Sequence, residues 1–137
     1  MRVIRVDADA VGKQSPLWGN GHSYLPAKTA DFQKLMAWEY VKQGGENFGK
    51  SAISIVLVVE KGFPKSYSKA KRAKLRGQVC TEKPDCSNIL KAIEDGLQGV
   101  AFDNDKQVVF VGMAKRWSEE SCILLKIEPI LSDGRDL

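Results

Sequence analysis

The sequence predicts one small α/β domain, and three observations indicate this class. A length of 137 residues suits a single domain with one hydrophobic core. Residues 51–60 form a long apolar run of the kind found in buried strands. Apolar residues recur at helical spacing between residues 89 and 100, so strand and helix patterns alternate along the chain. We predict a domain over residues 1–131 and a loose tail over residues 132–137.

The first half of the chain predicts a strand, an irregular segment and a helix. Residues 3–10 alternate apolar and polar, as a half-buried strand does. Glycines and prolines are frequent in residues 12–26, which predicts a long loop or an irregular hairpin. Thr29 is the expected N-cap of a helix that ends at residues 44–45, where two glycines follow each other. The expected core residues of this helix are Phe32, Leu35 and Met36.

The second half predicts a central strand, two helices and two closing strands. Residues 51–60 carry apolar side chains on both sides, which favours a central position in the sheet. Residues 65–68 lead into a short exposed helix that ends at Gly77. The next helix begins just after Pro84, and its apolar face consists of Ile89, Leu90, Ile93, Leu97 and Val100. The closing strands are expected at residues 108–115 and 122–130.

Composition excludes several classes of protein. No apolar run approaches the ~20 residues that cross a bilayer, and the N-terminus lacks the continuous apolar region of an export signal. We therefore predict a soluble, cytoplasmic protein. With only one histidine, His22, and no CxxC spacing, the chain has too few ligands for a zinc site and little basis for histidine-dependent nucleophilic catalysis. Reduced thiols are expected at Cys80, Cys86 and Cys122.

Positive charge is concentrated in one segment. The formal net charge is +4, yet residues 61–76 contain seven basic side chains and no acidic one, so the rest of the chain carries −3. Clustered lysine and arginine bind the phosphate backbone of nucleic acids by releasing counterions. A solvated basic surface without a nucleic-acid partner remains the alternative. The candidate DNA-binding residues are Lys65, Lys69, Lys71, Arg72, Lys74 and Arg76.

Two aspartates distant in sequence are candidates for a metal site. Asp85 is predicted at the start of a helix and Asp105 at the start of a strand, so folding can bring the two carboxylates together. Mg²⁺ prefers oxygen ligands of this kind and keeps waters that substrate phosphate can replace. A bound Mg²⁺ supports phosphodiester hydrolysis, and Lys91 could add a positive charge at the same phosphate.

An ordinary structural explanation exists for each of these residues. Asp85 or Ser87 can serve as a helix N-cap, and residues 103–105 can form a simple turn. Lys91 and Asp95 are four residues apart, as in many surface ion pairs. The residue pattern alone does not decide between these explanations and a catalytic site.

The order of several motifs resembles the RusA family of Holliday-junction resolvases. Members of that family typically carry a KPD-x-DN segment that opens a helix, then a lysine and an aspartate, then a DD-x-Q-V-V segment that opens a strand. The matching residues here are Lys83, Pro84, Asp85, Asn88, Lys91, Asp95, Asp105, Gln107, Val108 and Val109. Similar flanking segments occur at residues 24–29, 64–68 and 115–117.

The resemblance implies both a fold and an activity. The implied fold is a small α/β domain in which a mixed sheet packs against two main helices. The implied protein is a homodimer that binds four-way DNA junctions and cuts two strands symmetrically with Mg²⁺, in recombination and repair. By the same resemblance Asp85 and Asp105 are catalytic, metal-binding carboxylates and Lys91 is the catalytic lysine.

The chain departs from the family pattern at two carboxylate positions. Ser87 replaces the second aspartate of the first motif, and Asn104 replaces the first aspartate of the second. If residues 103–105 are extended, Asp103 points to the same side as Asp105 and can serve as a further metal ligand. Two alternatives stay open: a catalytically impaired protein that binds junctions or single-stranded DNA, and an RNA-binding or regulatory domain.

Overall fold

The computed structural model describes residues 2–131 and Arg135, and in these residues a mixed sheet lies beside two long helices. The sheet contains β1 (Ile4–Val6), β4 (Ile53–Gly62), β5 (Val108–Ser118) and β6 (Cys122–Pro129). A separate hairpin contains β2 (Leu17–Gly19) and β3 (His22–Tyr24). The helices are α1 (Ala27–Lys42), α2 (Lys69–Leu75) and α3 (Cys86–Leu97). The predicted α/β class, with a mixed sheet and two main helices, is confirmed.

The strand order in the sheet is β1-β6-β4-β5. Strand β4 is therefore interior, as predicted, with β6 antiparallel on one side and β5 parallel on the other. Parallel neighbours require a long crossover connection, and the segment between β4 and β5 contains both α2 and α3. This crossover places α3, with the predicted aspartate and lysine, against the sheet.

The helices cover one face of the sheet. Along β4 every second residue is buried against α1 and α3, while Val56 and Val58 on the opposite face are only half-buried. Strand β4 therefore has apolar residues on both sides, as the sequence indicated, but only one side forms the core. The buried residues of β4 are Ile53, Ile55, Leu57 and Val59. Those of the two long helices are Thr29, Phe32, Met36 and Tyr40, then Ile89, Ala92, Ile93 and Leu97.

Two predicted boundaries near the N-terminus are wrong. Strand β1 pairs with only three residues of β6 and ends at Val6, after which the Ala8 N–H turns back to the Val6 carbonyl at 3.1 Å. Helix α1 begins before Thr29, with Pro26 at its N-cap, where a missing N–H costs no helical hydrogen bond. The Thr29 side chain is buried, and its hydroxyl donates to Gln14 Oε1 at 3.0 Å. The predicted end of α1 is confirmed, because Gly44 follows it with φ of 81°.

Other elements match the prediction more closely. The hairpin, the short basic helix and the start of α3 after Pro84 are confirmed, while β5 continues to Ser118 instead of ending at Lys115. Leu90 is only partly buried, and Val100 contacts the core from beyond the end of α3. The three cysteines are free thiols. The predicted tail lies outside the described residues except for Arg135, so the domain boundary stays a prediction.

Candidate active site

Helix α3 buries one face and presents a polar stripe on the other. Asp85 is its N-cap, and the Asp85 carboxylate accepts a hydrogen bond from the Asn88 N–H at 3.0 Å. Such a cap satisfies an amide that the first helical turn leaves without a partner. Ser87, Lys91 and Asp95 then follow at four-residue spacing, which aligns them along one side of the helix. We call these three residues the α3 stripe.

Ion pairs connect the α3 stripe to two other parts of the chain. Lys91 Nζ lies 2.8 Å from Asp105 Oδ2 and 3.5 Å from Asp95 Oδ1. Asp95 Oδ2 in turn lies 2.7 Å from Lys13 Nζ, in the loop before the hairpin. The side chains of Lys91 and Asp105 are 44% and 36% exposed, so a bound ligand can reach both. The predicted lysine and one predicted aspartate are therefore neighbours.

The pairing favours the charged form of both groups. The hydrogen bond to Asp105 is the main cause that raises the pKa of Lys91, and the same bond is the main cause that lowers the pKa of Asp105. Beside them, burial and then the negative charge of Asp105 raise the pKa of Glu94. At neutral pH Lys91 is thus a cation, suited to binding an anion and unsuited to accepting a proton.

A short turn, and not a strand, positions Asp105. Strand β5 begins only at Val108, and Asp105 lies in a 3-10 turn over residues 105–107, so the predicted strand start is corrected. Asn104, between Asp103 and Asp105, does have an extended backbone, with φ of −150° and ψ of 142°. Asn104 caps this turn: its side chain accepts from the Lys106 N–H at 2.9 Å, and its own N–H donates to Gln107 Oε1 at 2.7 Å. Asn104 thus has a structural role at the position where an aspartate is expected.

Long-range hydrogen bonds attach this turn to the start of β4. Gln107 Nε2 donates to the carbonyls of Gly49 and Ser51 at 2.6 and 2.8 Å. The Asp103 N–H donates to the Gly49 carbonyl as well, at 3.0 Å. The backbone on both sides of Asp105 is therefore fixed. The Asp103 side chain itself is exposed.

Two lysines of the sheet hold the turn that precedes Asp85. Lys115 Nζ, on β5, donates to the Pro84 carbonyl at 2.6 Å and also contacts the Glu82 carbonyl. Lys61 Nζ, on β4, contacts the Lys83 carbonyl. These charge-assisted hydrogen bonds restrain the backbone of residues 82–84. They therefore fix the position of Asp85 and the start of α3.

An open cleft of about 1340 Å³ lies beside Asp85. Its walls come from residues 8–14, the end of β4, the turn of residues 81–85 and the start of α3. Six lysines line it, against five acidic side chains other than Asp85. The lysines are Lys13, Lys28, Lys61, Lys65, Lys83 and Lys115. With Asp85 the carboxylates also number six, so the cleft offers cations to phosphate groups beside carboxylates that suit a hard metal ion.

The predicted metal ligands do not form a closed cluster. Within residues 2–131 and Arg135, no group of three or more His, Cys, Asp or Glu side chains lies in positions that could hold a metal ion. Lys91 and Asp105 are in contact, whereas Asp85 is at the N-cap of α3 and Asp103 is exposed. A three-carboxylate site composed of Asp85, Asp103 and Asp105 stays a prediction.

The predicted DNA-binding residues divide into two groups. Arg72 and Arg76 pair with Glu119, and Arg72 also donates to the carbonyls of Pro64 and Tyr67. These arginines hold the basic segment on the protein. Lys71 lies 3.9 Å from the Tyr67 ring centroid. The remaining predicted residues are exposed lysines: Lys65, Lys69 and Lys74.

Sequence reasoning missed several residues around the site. Glu94 was detectable, because it lies one helical turn after Lys91. Lys13, Lys61 and Lys115 gave no signal, since they reach the site from loops and strands far away in sequence. Only the tertiary structure brings these lysines to α3.

Fold and site together define a small α/β domain with a cleft, lined by lysines and carboxylates, at the start of a helix that carries acidic side chains. Such a cleft offers cations to phosphate groups and carboxylates to a divalent metal ion. The model of the family Endodeoxyribonuclease RusA matches residues 7–128, and the chain belongs to this family. Membership indicates endodeoxyribonuclease activity on branched DNA.

A relative with no functional name was also found. The chain is 28% identical over 116 residues to "Uncharacterized protein YqaN" of Bacillus subtilis (strain 168), and the match covers 82% of each chain. That name adds nothing on activity. Separately, none of the helices within the described residues is long and apolar enough to cross a membrane.

Proposed function

We propose that this protein is a Mg²⁺-dependent endonuclease that resolves four-way DNA junctions by paired, symmetric cuts during recombination and repair in the cytoplasm. The observation that carries the proposal is the contact of 2.8 Å between Lys91 and Asp105 beside the helix that Asp85 caps. These are the three residues for which family resemblance implies catalysis. Of the three, Asp85 lines the open cleft, which also carries six lysines.

The donor set fits Mg²⁺ better than an ion that needs a complete protein cage. Mg²⁺ is usually bound through one or two carboxylates together with waters and substrate phosphates, so a closed cluster is not required. Asp85 and Asp105 are the carboxylates proposed to hold it. When bound, Mg²⁺ lowers the pKa of a coordinated water and stabilises negative charge on phosphate oxygens.

The chain's own residues have separable roles in this proposal. Lys91 is held as a cation beside Asp105 and orients the scissile phosphate by a charge-assisted hydrogen bond. Because Ser87 offers only a neutral hydroxyl where an aspartate is expected, we propose that Asp103 supplies part of the missing negative charge. Asp103 is two residues from Asp105 and its side chain is exposed to a ligand.

The exposed lysines of α2 and its preceding loop are proposed to bind DNA phosphates without reading bases. Replacing Lys65, Lys69 and Lys74 by glutamine should weaken binding to every sequence alike and flatten the salt dependence, by roughly one unit of slope per lost contact. Glutamine at Lys34, Lys42 and Lys50, three exposed lysines elsewhere, is the matched control. An unchanged salt slope would show that the segment is only a solvated surface.

A homodimer is proposed because a two-fold symmetric DNA substrate favours a two-fold symmetric protein. The first residues of edge strand β5 support this proposal. Val109, Phe110 and Val111 are exposed there, an apolar edge that a second copy can cover by pairing with it. Sedimentation of the parent and of Phe110→Lys tests the proposal. We expect the parent to be a dimer and Phe110→Lys to be a monomer. A parent that is monomeric and still resolves junctions would contradict the proposal.

A second candidate is a protein that binds junctions or single strands without cutting them. Ser87 favours this candidate, because it removes a carboxylate from the α3 stripe. Incubation of a synthetic four-way junction and a linear duplex of the same sequence with Mg²⁺, Mn²⁺ or EDTA separates the two. Symmetric nicks in the junction alone, absent in EDTA, are expected. Tight binding without nicks in either metal would favour the second candidate.

A further inference from the structure

The hairpin of β2 and β3 exposes a tryptophan that the proposed chemistry does not use. The Trp18 side chain is 75% exposed, and no residue of β2 or β3 is buried. Among the described residues, no other ring or cation is recorded against Trp18. The Trp18 ring is therefore accessible to a ligand.

The hairpin that carries Trp18 is short and well defined. Trp18 pairs with Ser23, and the strands are joined by Asn20 and Gly21 alone, with φ values of 51° and 79°. Asn-Gly with two positive φ angles is the favoured two-residue turn of tight hairpins. Trp18 is therefore presented on a narrow projection, next to the turn.

The loop that leads into the hairpin lies against the candidate active site. The Lys13 N–H donates to the Asn88 carbonyl at 3.0 Å, and Lys13 Nζ pairs with Asp95 of the α3 stripe. Gly12 is so close to α3 that an added Cβ would lie 3.2 Å from the Asn88 Cβ atom. Trp18 follows Lys13 by five residues, so their Cα atoms are at most about 18 Å apart.

The charge of this segment favours an anionic ligand. No acidic residue occurs between Asp9 and Asp31, whereas Lys13 and Lys28 both line the cleft. Proteins bind single-stranded nucleic acid by combining a positively charged groove with aromatic rings, because every base offers a face for stacking. Some DNA-binding proteins likewise insert an apolar side chain between two neighbouring bases and partly unstack them.

We propose that Trp18 stacks on the face of a base exposed at the branch point of DNA whose backbone lies in the cleft. This inference rests on the proposed function, since it assumes a branched DNA ligand. It adds a residue that distinguishes branched from continuous DNA. Phosphate contacts position the backbone, whereas a stacked ring contacts a base directly.

Binding measured in EDTA tests the proposal without cleavage. A four-way junction with 2-aminopurine at the branch and a linear duplex of matched sequence are titrated with the parent, Trp18→Ala, Trp18→Phe and Trp38→Ala. Trp38 is a suitable control because it is 59% exposed on α1, where Lys42 Nζ lies 4.5 Å from its ring centroid. Trp18→Ala should weaken junction binding about ten-fold or more, leave duplex binding unchanged and abolish the fluorescence change of the base. Trp18→Phe should retain most of the affinity, and Trp38→Ala all of it.

Three results would overturn the inference. The first is equal junction affinity of Trp18→Ala and Trp38→Ala, and the second is an equal loss of affinity for junction and duplex in Trp18→Ala. The third is a change of oligomeric state in Trp18→Ala with unaltered affinity per protomer, because the hairpin would then be a contact between copies of the protein. The proposed nuclease activity fails independently. If junction binding by the parent depends on Trp18 but the parent makes no nicks with Mg²⁺, only the nuclease activity is refuted. If the parent cuts junctions and Trp18→Ala binds them as tightly as the parent does, only the role of Trp18 is refuted.

Discussion

The two ends of the candidate site hold their carboxylates differently. At the start of α3 the backbone before Asp85 is fixed by Lys61 and Lys115, while the carboxylate accepts one amide hydrogen bond and is otherwise exposed. One to two turns further on, Asp105 is paired with Lys91. A ligand can reach the Asp85 carboxylate directly, whereas at Asp105 it must share the carboxylate with Lys91. We infer that substrate phosphate, which can take over the lysine, is needed to complete the site.

Removing the paired carboxylate should have the largest effect. We expect Asp105→Asn to reduce junction cleavage by about a hundred-fold or more, because it removes a proposed metal ligand and leaves Lys91 without its main partner. Junction affinity in EDTA should be retained. Asp7→Asn is the control, since Asp7 also forms an exposed ion pair at 2.8 Å, with Arg5 on β1. Equal activity of the two variants would contradict a role for Asp105 in cleavage.

The missing carboxylate of the α3 stripe allows a gain-of-function test. Asp103→Asn should reduce the cleavage rate at low Mg²⁺ by about ten-fold, because Mg²⁺ requires anionic oxygens to offset its dehydration. Ser87→Asp, added to Asp103→Asn, should raise the rate again by about ten-fold for the same reason. Cleavage rates across a Mg²⁺ titration give both numbers. If Asp103→Asn behaves like the parent while Ser87→Asp alone increases cutting, Asp103 has no part and the natural site is simply weaker.

The next prediction compares two replacements of Lys115, which holds the turn before Asp85: Lys115→Met should impair the site more than Lys115→Arg. Lys115→Met loses the hydrogen bonds to the carbonyls of Glu82 and Pro84, so Asp85 should be less well placed and the Mg²⁺ requirement should rise by about ten-fold. Lys115→Arg keeps the charge and the donors and should recover part of the loss. Thermal unfolding of both variants and of Lys34→Met checks that the fold is intact. Equal Mg²⁺ requirements in the Met and Arg variants would refute a positioning role.

The smallest expected effect is electrostatic. Lys91 lowers the pKa of Asp105, so the stabilisation from this pair is present above the pKa of an unfolded aspartate and is lost as pH falls through the lower pKa of the folded state. In Lys91→Met the pKa of Asp105 should rise towards its ordinary value. The carboxyl ¹³C shift of Asp105, followed by NMR titration, measures this directly. An unchanged pKa in Lys91→Met would mean that the pair does not persist in solution.

The sequence predicted most of the fold because its patterns are local. The continuous apolar run of β4, the apolar face of α3 and the glycines after α1 each lie within one segment, and all three elements occur where predicted or nearly so. The errors fall where tertiary contacts decide. Strand β1 ends when its partner strand ends, and Thr29 is buried against Gln14 instead of capping a helix.

The candidate site was predictable only in part. Family resemblance identified Lys91 and Asp105, and the structure places them in contact. The turn that holds Asp105 depends on Gln107 reaching the carbonyls before β4, more than fifty residues away in sequence. No spacing rule predicts such a contact, nor the lysines of β4 and β5 that restrain the turn before Asp85.

Paramagnetic broadening by Mn²⁺ tests most directly whether the two ends of α3 belong to one metal site. In the presence of an uncleaved junction analogue, Mn²⁺ should broaden the backbone amide signals of residues 85–87 and of residues 103–105 with the same concentration dependence, because one ion contacts both Asp85 and Asp105. Asp105→Asn should weaken both effects together. Broadening at one end only, or at the two ends with separate affinities, would contradict a single catalytic centre formed by Asp85, Lys91 and Asp105.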